Sequence, residues 1–112
     1  MEISSVRPPD PQDERRRAPR YPFDGGLEID WGSTTIQGKV LELSADGMFI
    51  ETHDPLWVGA RFSSRLFLEP PLAVDCVVRR VVPGRGMGLS FTLNKEEDRL
   101  RLTDLLETLA NK

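Results

Sequence analysis

The run Leu27-Glu28-Ile29-Asp30-Trp31, followed by Gly32-Ser33 and a second run from Thr34 to Leu43, reads as a β-hairpin. Apolar side chains at 27, 29 and 31 alternate with carboxylates at 28 and 30, the period of a strand with one face buried. Gly32-Ser33 supplies the turn, and the residues after it return alongside. The same signals repeat downstream. Gly47 opens a strand over Met48 to Thr52, and Asp54 to Gly59 reads as a connection with a packed apolar tip. Arg61 to Leu68 alternates again, with Phe62, Leu66 and Leu68 on one face, until Pro70-Pro71 breaks it. Val74, Cys76, Val78 and Val82 are expected to share the buried face of the next strand, with Asp75 and Arg79 opposite. Pro83-Gly84 marks a hairpin turn, and Met87, Leu89 and Phe91 form the inward face of the last strand.

At Asn94 the period changes. Asn94 followed by Glu97 is a helix-start signature, in which a side-chain acceptor caps free backbone N–H groups. Leu102, Leu105, Leu106 and Leu109 then recur at helical spacing and give a one-sided apolar stripe. Short strands separated by tight turns suggest a sandwich or a barrel. With one small core, the expected fold is mainly β: a six-stranded antiparallel β-barrel over residues 24–92 and one C-terminal α-helix over 94–111. Upstream, residues 1–12 carry Pro8, Pro9 and Pro11 with almost nothing to bury and read as a flexible arm. Residues 13–23 read as an extended lead-in, since Pro19 and Pro22 disfavour helix and Tyr21 and Phe23 can anchor it. The domain as a whole is placed at 13–112.

Bulk properties bound the function. A chain of 112 residues has room for one domain. A net charge of −3 argues against a broad nucleic-acid surface, though not against one local cationic site. The single cysteine, Cys76, excludes a disulfide framework and a thiolate metal cluster. No stretch is apolar and long enough to cross a bilayer, and the polar start is unlike a secretory signal. A cytoplasmic protein without membrane insertion is expected. Enzyme signatures are missing as well. Cys76 falls on an apolar strand face, where a thiol is inert, and His53 reads as a solvated turn residue at a strand end. Neither a phosphate loop, a dinucleotide fingerprint nor a metal-ligand spacing occurs, and the glycines of Pro83 to Gly88 suit a hairpin. A binding module with no catalytic residues and no metal is the reading.

Two constellations can carry binding. Arg15, Arg16, Arg17 and Arg20 crowd one short segment. Guanidinium groups are planar and forked, and can bond phosphates or guanine edges and stack on bases. A solvated basic tail is the plain alternative. Between two strands, Glu42-Leu43-Ser44-Ala45-Asp46-Gly47 sets an acceptor, a hydroxyl and an unhindered backbone close together. An ordinary turn uses the same residue types.

In this order the two are more specific than either alone. Arg16 and Arg20 as an R-x-x-x-R segment before a small barrel, then Glu42, Ser44 and Gly47 as a [D/N]-x-S-x-x-G-like turn, resemble the PilZ domain family. Met48-Phe49-Ile50, Val77-Val78-Arg79-Arg80-Val81 and Gly86-Met87-Gly88-Leu89-Ser90-Phe91 resemble that family's strands. The resemblance implies a receptor for cyclic di-GMP, with Arg16 and Arg20 clasping guanine edges and phosphates. It also implies that Ser44 and the Gly47 backbone meet the ligand from the barrel, and that position 42 reads a guanine Watson–Crick edge. Arg15, Arg17 and Asp46 become auxiliary contacts. Binding would reposition the lead-in, and an unidentified protein partner would read the change. Glu42 departs from the family's Asp or Asn, which favours an alternative: an adaptor of motility, pilus or polysaccharide machinery that binds its partner without the nucleotide. A single-stranded nucleic-acid binder is a remote third reading, since Trp31, Phe62 and Phe91 fall on core faces. Trp57 has no assigned role. The leucine stripe packs on its own barrel in a monomer or on a second copy in a homodimer.

Overall fold

Strands form where apolar residues alternate, and their register follows from which face is buried. The computed structural model of the chain describes residues 18–111. The arm expected over 1–12, and Arg15, Arg16 and Arg17, lie outside the described residues. β1 (Tyr21–Trp31) pairs antiparallel with β2 (Thr34–Leu43), with Leu27 opposite Gly38 and Trp31 opposite Thr34. Gly32, in the left-handed region at φ 62°, makes the turn between them. β3 (Gly47–Glu51), β4 (Arg61–Leu66), β5 (Leu72–Val82) and β6 (Gly86–Thr92) complete a closed barrel in the order β1-β2-β3-β6-β5-β4. The seam closes through β1 against β4, with Leu27 opposite Leu66. Closure leaves no unpaired edge within the sheet.

Inward side chains fill the barrel. Leu27, Ile29, Val40, Leu43, Ile50 and Val78 have no solvent exposure. The helix α1 (Glu96–Ala110) lies on the barrel with Leu102 buried and Leu105, Leu106 and Leu109 partly buried against the core. The expected mainly-β barrel with one C-terminal helix is therefore the observed architecture. Among the described residues no helix is long and apolar enough to cross a membrane.

Several local details differ from the sequence reading, each for a physical reason. β1 begins at Tyr21, so the end of the lead-in is already strand: Tyr21 pairs with Leu43 and Pro22 with Glu42. β3 stops at Glu51 and β4 at Leu66, and Ser64 rather than an apolar residue takes the inward position between Phe62 and Leu66. Its hydroxyl is satisfied there, 3.3 Å from both the Val74 carbonyl and Cys76 Sγ. In β5 a register shift between Val78 and Arg80 inserts one extra residue. A bulge of this kind reverses the alternation. Val81, opposite buried Met87, thus packs on the core, and the expected Val82 does not. Asn94 does not cap the helix; its side-chain amide donates to Asp75 at 3.0 Å, and Lys95 is the N-cap without a side-chain bond. Glu96, Glu97 and Asp98 in the first turn supply the favourable negative charge instead. In the β3–β4 connection Leu56 is the buried tip, while Trp57 is 62% exposed and meets Trp31 edge-on at 5.1 Å.

Candidate functional site

The turn between β2 and β3 is built around one hydroxyl. Ser44 is only 2% exposed. Its Oγ accepts the Gly47 N–H at 3.1 Å and lies 3.4 Å from the Asp46 N–H. The same oxygen has Gly47 O and Asp46 Oδ1 each at 3.1 Å, and its single proton serves one of them at a time. Backbone bonds from Ser44 N to Gly47 O and from Phe91 N to Asp46 O tie the turn to itself and to β6. Gly47 is required by proximity: a Cβ there would lie 2.6 Å from the Leu89 carbonyl oxygen. β3 and β6 can close up beside the turn only because position 47 has no side chain.

Beside this turn a groove of about 610 Å³ runs over the outer face of β3, β6 and β5. Arg20, Asp46, Gly47, Arg79, Arg80 and Ser90 are among its lining residues. Register explains the placement. Residues directly opposite across strands share a face, and Pro22, Glu42, Phe49, Gly88 and Arg80 follow one another across β1, β2, β3, β6 and β5. Met48 and Ile50 enter the core, so Phe49 points outward, yet it is 7% exposed. Its cover is cationic: the guanidinium carbons of Arg80 and Arg85 each lie 5.7 Å from the ring centroid, within cation–π range. Gly88 presents no side chain between Phe49 and Arg80, which deepens the groove. Arg79 Nε donates to Ser90 Oγ at 2.9 Å.

The residues singled out from sequence are partly gathered here. Arg20, Asp46 and Gly47 line the groove, and Ser44 lies beneath it inside the turn. Glu42 lines an adjoining groove of about 220 Å³ with Pro22, Phe49, Arg80 and Arg85. Phe49 and Arg80 line both and so divide them. Glu42 reaches the first groove through Arg20, their charged atoms 3.8 Å apart with both side chains about half exposed. An exposed pair at that separation is worth roughly 0–1 kcal/mol, so either partner is free to exchange it for a better one. Arg15, Arg16 and Arg17 lie outside the described residues.

The sequence reading did not name Phe49, Arg79, Arg80 and Ser90 as site residues. A signal was present. Alternation from Val74, Cys76 and Val78 carries Arg80 into the core, and a lone arginine there is untenable; the bulge in β5 resolves that conflict by turning it outward. His53 is exposed and apart from the groove, and Cys76 is buried with its thiol pushed up to about 12, chiefly by burial. Among the described residues no group of three or more His, Cys, Asp or Glu could hold a metal ion.

The family model for the PilZ domain matches residues 14–108. The chain belongs to the PilZ domain family. The match spans the described site and barrel. No curated protein matches the chain by sequence. Among solved structures, the inhibitor of motility MotI/DgrA of Bacillus subtilis is 21% identical, with a TM-score of 0.72 over 93% of this chain and 57% of that one. MrkH of K. pneumonia, described as a c-di-GMP-dependent transcription regulatory factor, gives 18% identity and a TM-score of 0.75 over 88% of this chain and 52% of that one. The PilZ domain of YcgR from Escherichia coli, solved with c-di-GMP, gives 16% and 0.68, over 87% of this chain and 92% of that domain. This PilZ domain thus shares its fold with all three, and spans little more than half the length of the first two.

Proposed function

We propose that this PilZ domain is a cyclic di-GMP receptor that signals by changing a surface read by a protein partner. The carrying observation is the groove that brings Arg20, Asp46 and Gly47 together on the outer face of β3, β6 and β5. It offers cationic forks, a carboxylate and the unhindered backbone at Gly47 to a ligand with phosphates and purine edges. Family membership and the c-di-GMP bound to the YcgR domain support the choice of ligand. In this reading Arg16 and Arg20 clasp guanine edges and phosphates, and Arg15, Arg17 and Asp46 are auxiliary. Ser44 acts through the turn that presents Gly47. Glu42, released from Arg20, accepts from a guanine Watson–Crick edge. The functional unit is residues 13–112, a binding module without catalytic residues, working in the cytoplasm.

Ligand binding sets the position of the lead-in around Arg16 and Arg20 against the barrel, and the partner recognises the altered surface. Calorimetric titration of cyclic di-GMP into the protein, with GTP as control, tests the reading. Saturable binding that is absent with GTP and lost in Arg16→Ala and Arg20→Ala is expected. Equal binding of GTP, or none of either, removes it. A second reading is an adaptor that binds its partner without nucleotide. The observation favouring it is that Glu42 already sits on Arg20; partner capture indifferent to added cyclic di-GMP would support it.

A further inference from the structure

Guanidinium groups enter the groove from β5 as well as from Arg20. Arg20 precedes β1 and reaches the groove from the β2 side, whereas Arg79 and Arg80 approach from β5, with β3 and β6 between. Each β5 arginine is oriented by a neighbour. The Nε–H of Arg79 is committed to Ser90 Oγ at 2.9 Å, which leaves the two terminal NH₂ groups, the edge that grips an oxyanion bidentately. Arg80 is held over Phe49, and Gly88 opposite it keeps the space beside the guanidinium open. A Cβ at Gly88 would lie 3.7 Å from Arg80 Nε and 3.8 Å from Phe49. Among the described residues neither Arg79 nor Arg80 meets a carboxylate within ion-pair distance, in contrast to Arg20, Arg65 and Arg99. Among the described residues Asp46 is the only carboxylate lining the groove, and its Oδ1 faces Ser44 Oγ.

We infer that Arg79 and Arg80 form a second anion clasp, on the β5 wall of the groove, that holds phosphate oxygens of the ligand across from Arg20. Ser90 and Phe49 are positioning residues that aim the two forks. The inference rests on the proposed cyclic di-GMP site for the identity of the ligand, but its chemistry requires only a phosphate oxyanion. Oriented arginines lose less freedom on binding than mobile ones, so this wall contributes affinity as well as charge.

The test is nuclear magnetic resonance of arginine Nε–Hε groups in the full chain, titrated at constant ionic strength with cyclic di-GMP and, separately, with inorganic pyrophosphate. The Arg79 and Arg80 resonances are expected to move with both. Arg79→Ala and Arg80→Ala should each weaken cyclic di-GMP binding by about tenfold to a hundredfold, the first with its melting temperature nearly unchanged and the second with it a few degrees lower because Phe49 loses part of its cover. Arg80→Lys should fall between, because it keeps the charge and loses the fork. Cyclic di-GMP bound at wild-type affinity by both alanine variants, with the two resonances unmoved, would overturn the clasp and leave the receptor reading in place. Pyrophosphate shifts at Arg79 and Arg80 without any cyclic di-GMP binding would overturn the receptor reading and support the clasp. No response to either probe would overturn both.

Discussion

Ser44→Ala removes the oxygen on which the β2–β3 turn is built, and its cost follows from the bonds lost. The hydroxyl accepts one good bond, from Gly47 N–H at 3.1 Å, and a longer one from Asp46 N–H at 3.4 Å. It donates its one proton to Gly47 O or Asp46 Oδ1. Asp46 is exposed, so water replaces what it loses. The Gly47 N–H lies against a Ser44 side chain that is 2% exposed, and alanine leaves that donor without an acceptor. One lost bond and one stranded donor together cost about 1–3 kcal/mol. The backbone bond from Ser44 N to Gly47 O at 2.9 Å remains, so the turn loosens without dissolving. For a domain of this size, 1 kcal/mol lowers the melting temperature by roughly 4–8 °C. Urea unfolding followed by Trp31 and Trp57 fluorescence should show a lower midpoint with the same slope. A variant with wild-type stability but impaired ligand binding would make Ser44 a ligand contact and not the organiser of the turn.

Gly47→Ala should destabilise by about 1–3 kcal/mol, since the new Cβ meets the Leu89 backbone carbonyl at 2.6 Å and β6 must shift; wild-type thermal stability would contradict this. Gly88→Ala should leave thermal stability nearly unchanged, its Cβ making ordinary contacts at 3.7 and 3.8 Å, while calorimetry shows weaker cyclic di-GMP binding because the groove floor is filled. The Cys76 thiol ordinarily ionises near 9.0 and is raised to about 12 in the fold, so the neutral form is the stabilised one. Its contribution is complete below pH 9 and is lost from there to about pH 12, with a slope of about 1.4 kcal/mol per unit. Cys76→Ala should lose that alkaline slope in denaturant titrations at stepped pH. On the opposite outer face Arg65 bonds Glu28 and Asp30, and its hydrogen bond holds the Glu28 carboxyl below the ordinary carboxylate range. Stability from this contact is present above the ordinary Glu pKa and is lost as pH falls, so Arg65→Met should raise the Glu28 titration midpoint read by carboxyl ¹³C resonances.

The barrel was legible because alternation is local. Leu27, Ile29 and Trp31, or Met87, Leu89 and Phe91, show their face without reference to any other strand, and turn glycines mark where each run ends. Bulges are not local in that sense. The extra residue at Arg79 exists because β5 must stay in register with β6 on both sides of it, so the exchange of Val82 for Val81 was hidden in pairing. Asn94 illustrates another limit: two acceptable bonds competed, a cap on its own helix and a bridge to Asp75, and only the three-dimensional neighbour decides between them. For the site, Arg20, Asp46 and Gly47 were legible as a motif. Phe49 under Arg80 and Arg85 was not, because a central strand residue flanked by Met48 and Ile50 looks like core until the facing strands are placed.

On the proposed function, ligand sits in the groove over β3, β6 and β5. A backbone amide chemical-shift map during cyclic di-GMP titration tests it most directly. The largest changes are expected at Asp46, Gly47, Gly88 and Ser90, with Glu28, Asp30 and Arg65 on the β1–β4 face unmoved. A saturating titration whose changes centre on the β1–β4 face, or on the Trp31–Trp57 corner, would contradict it.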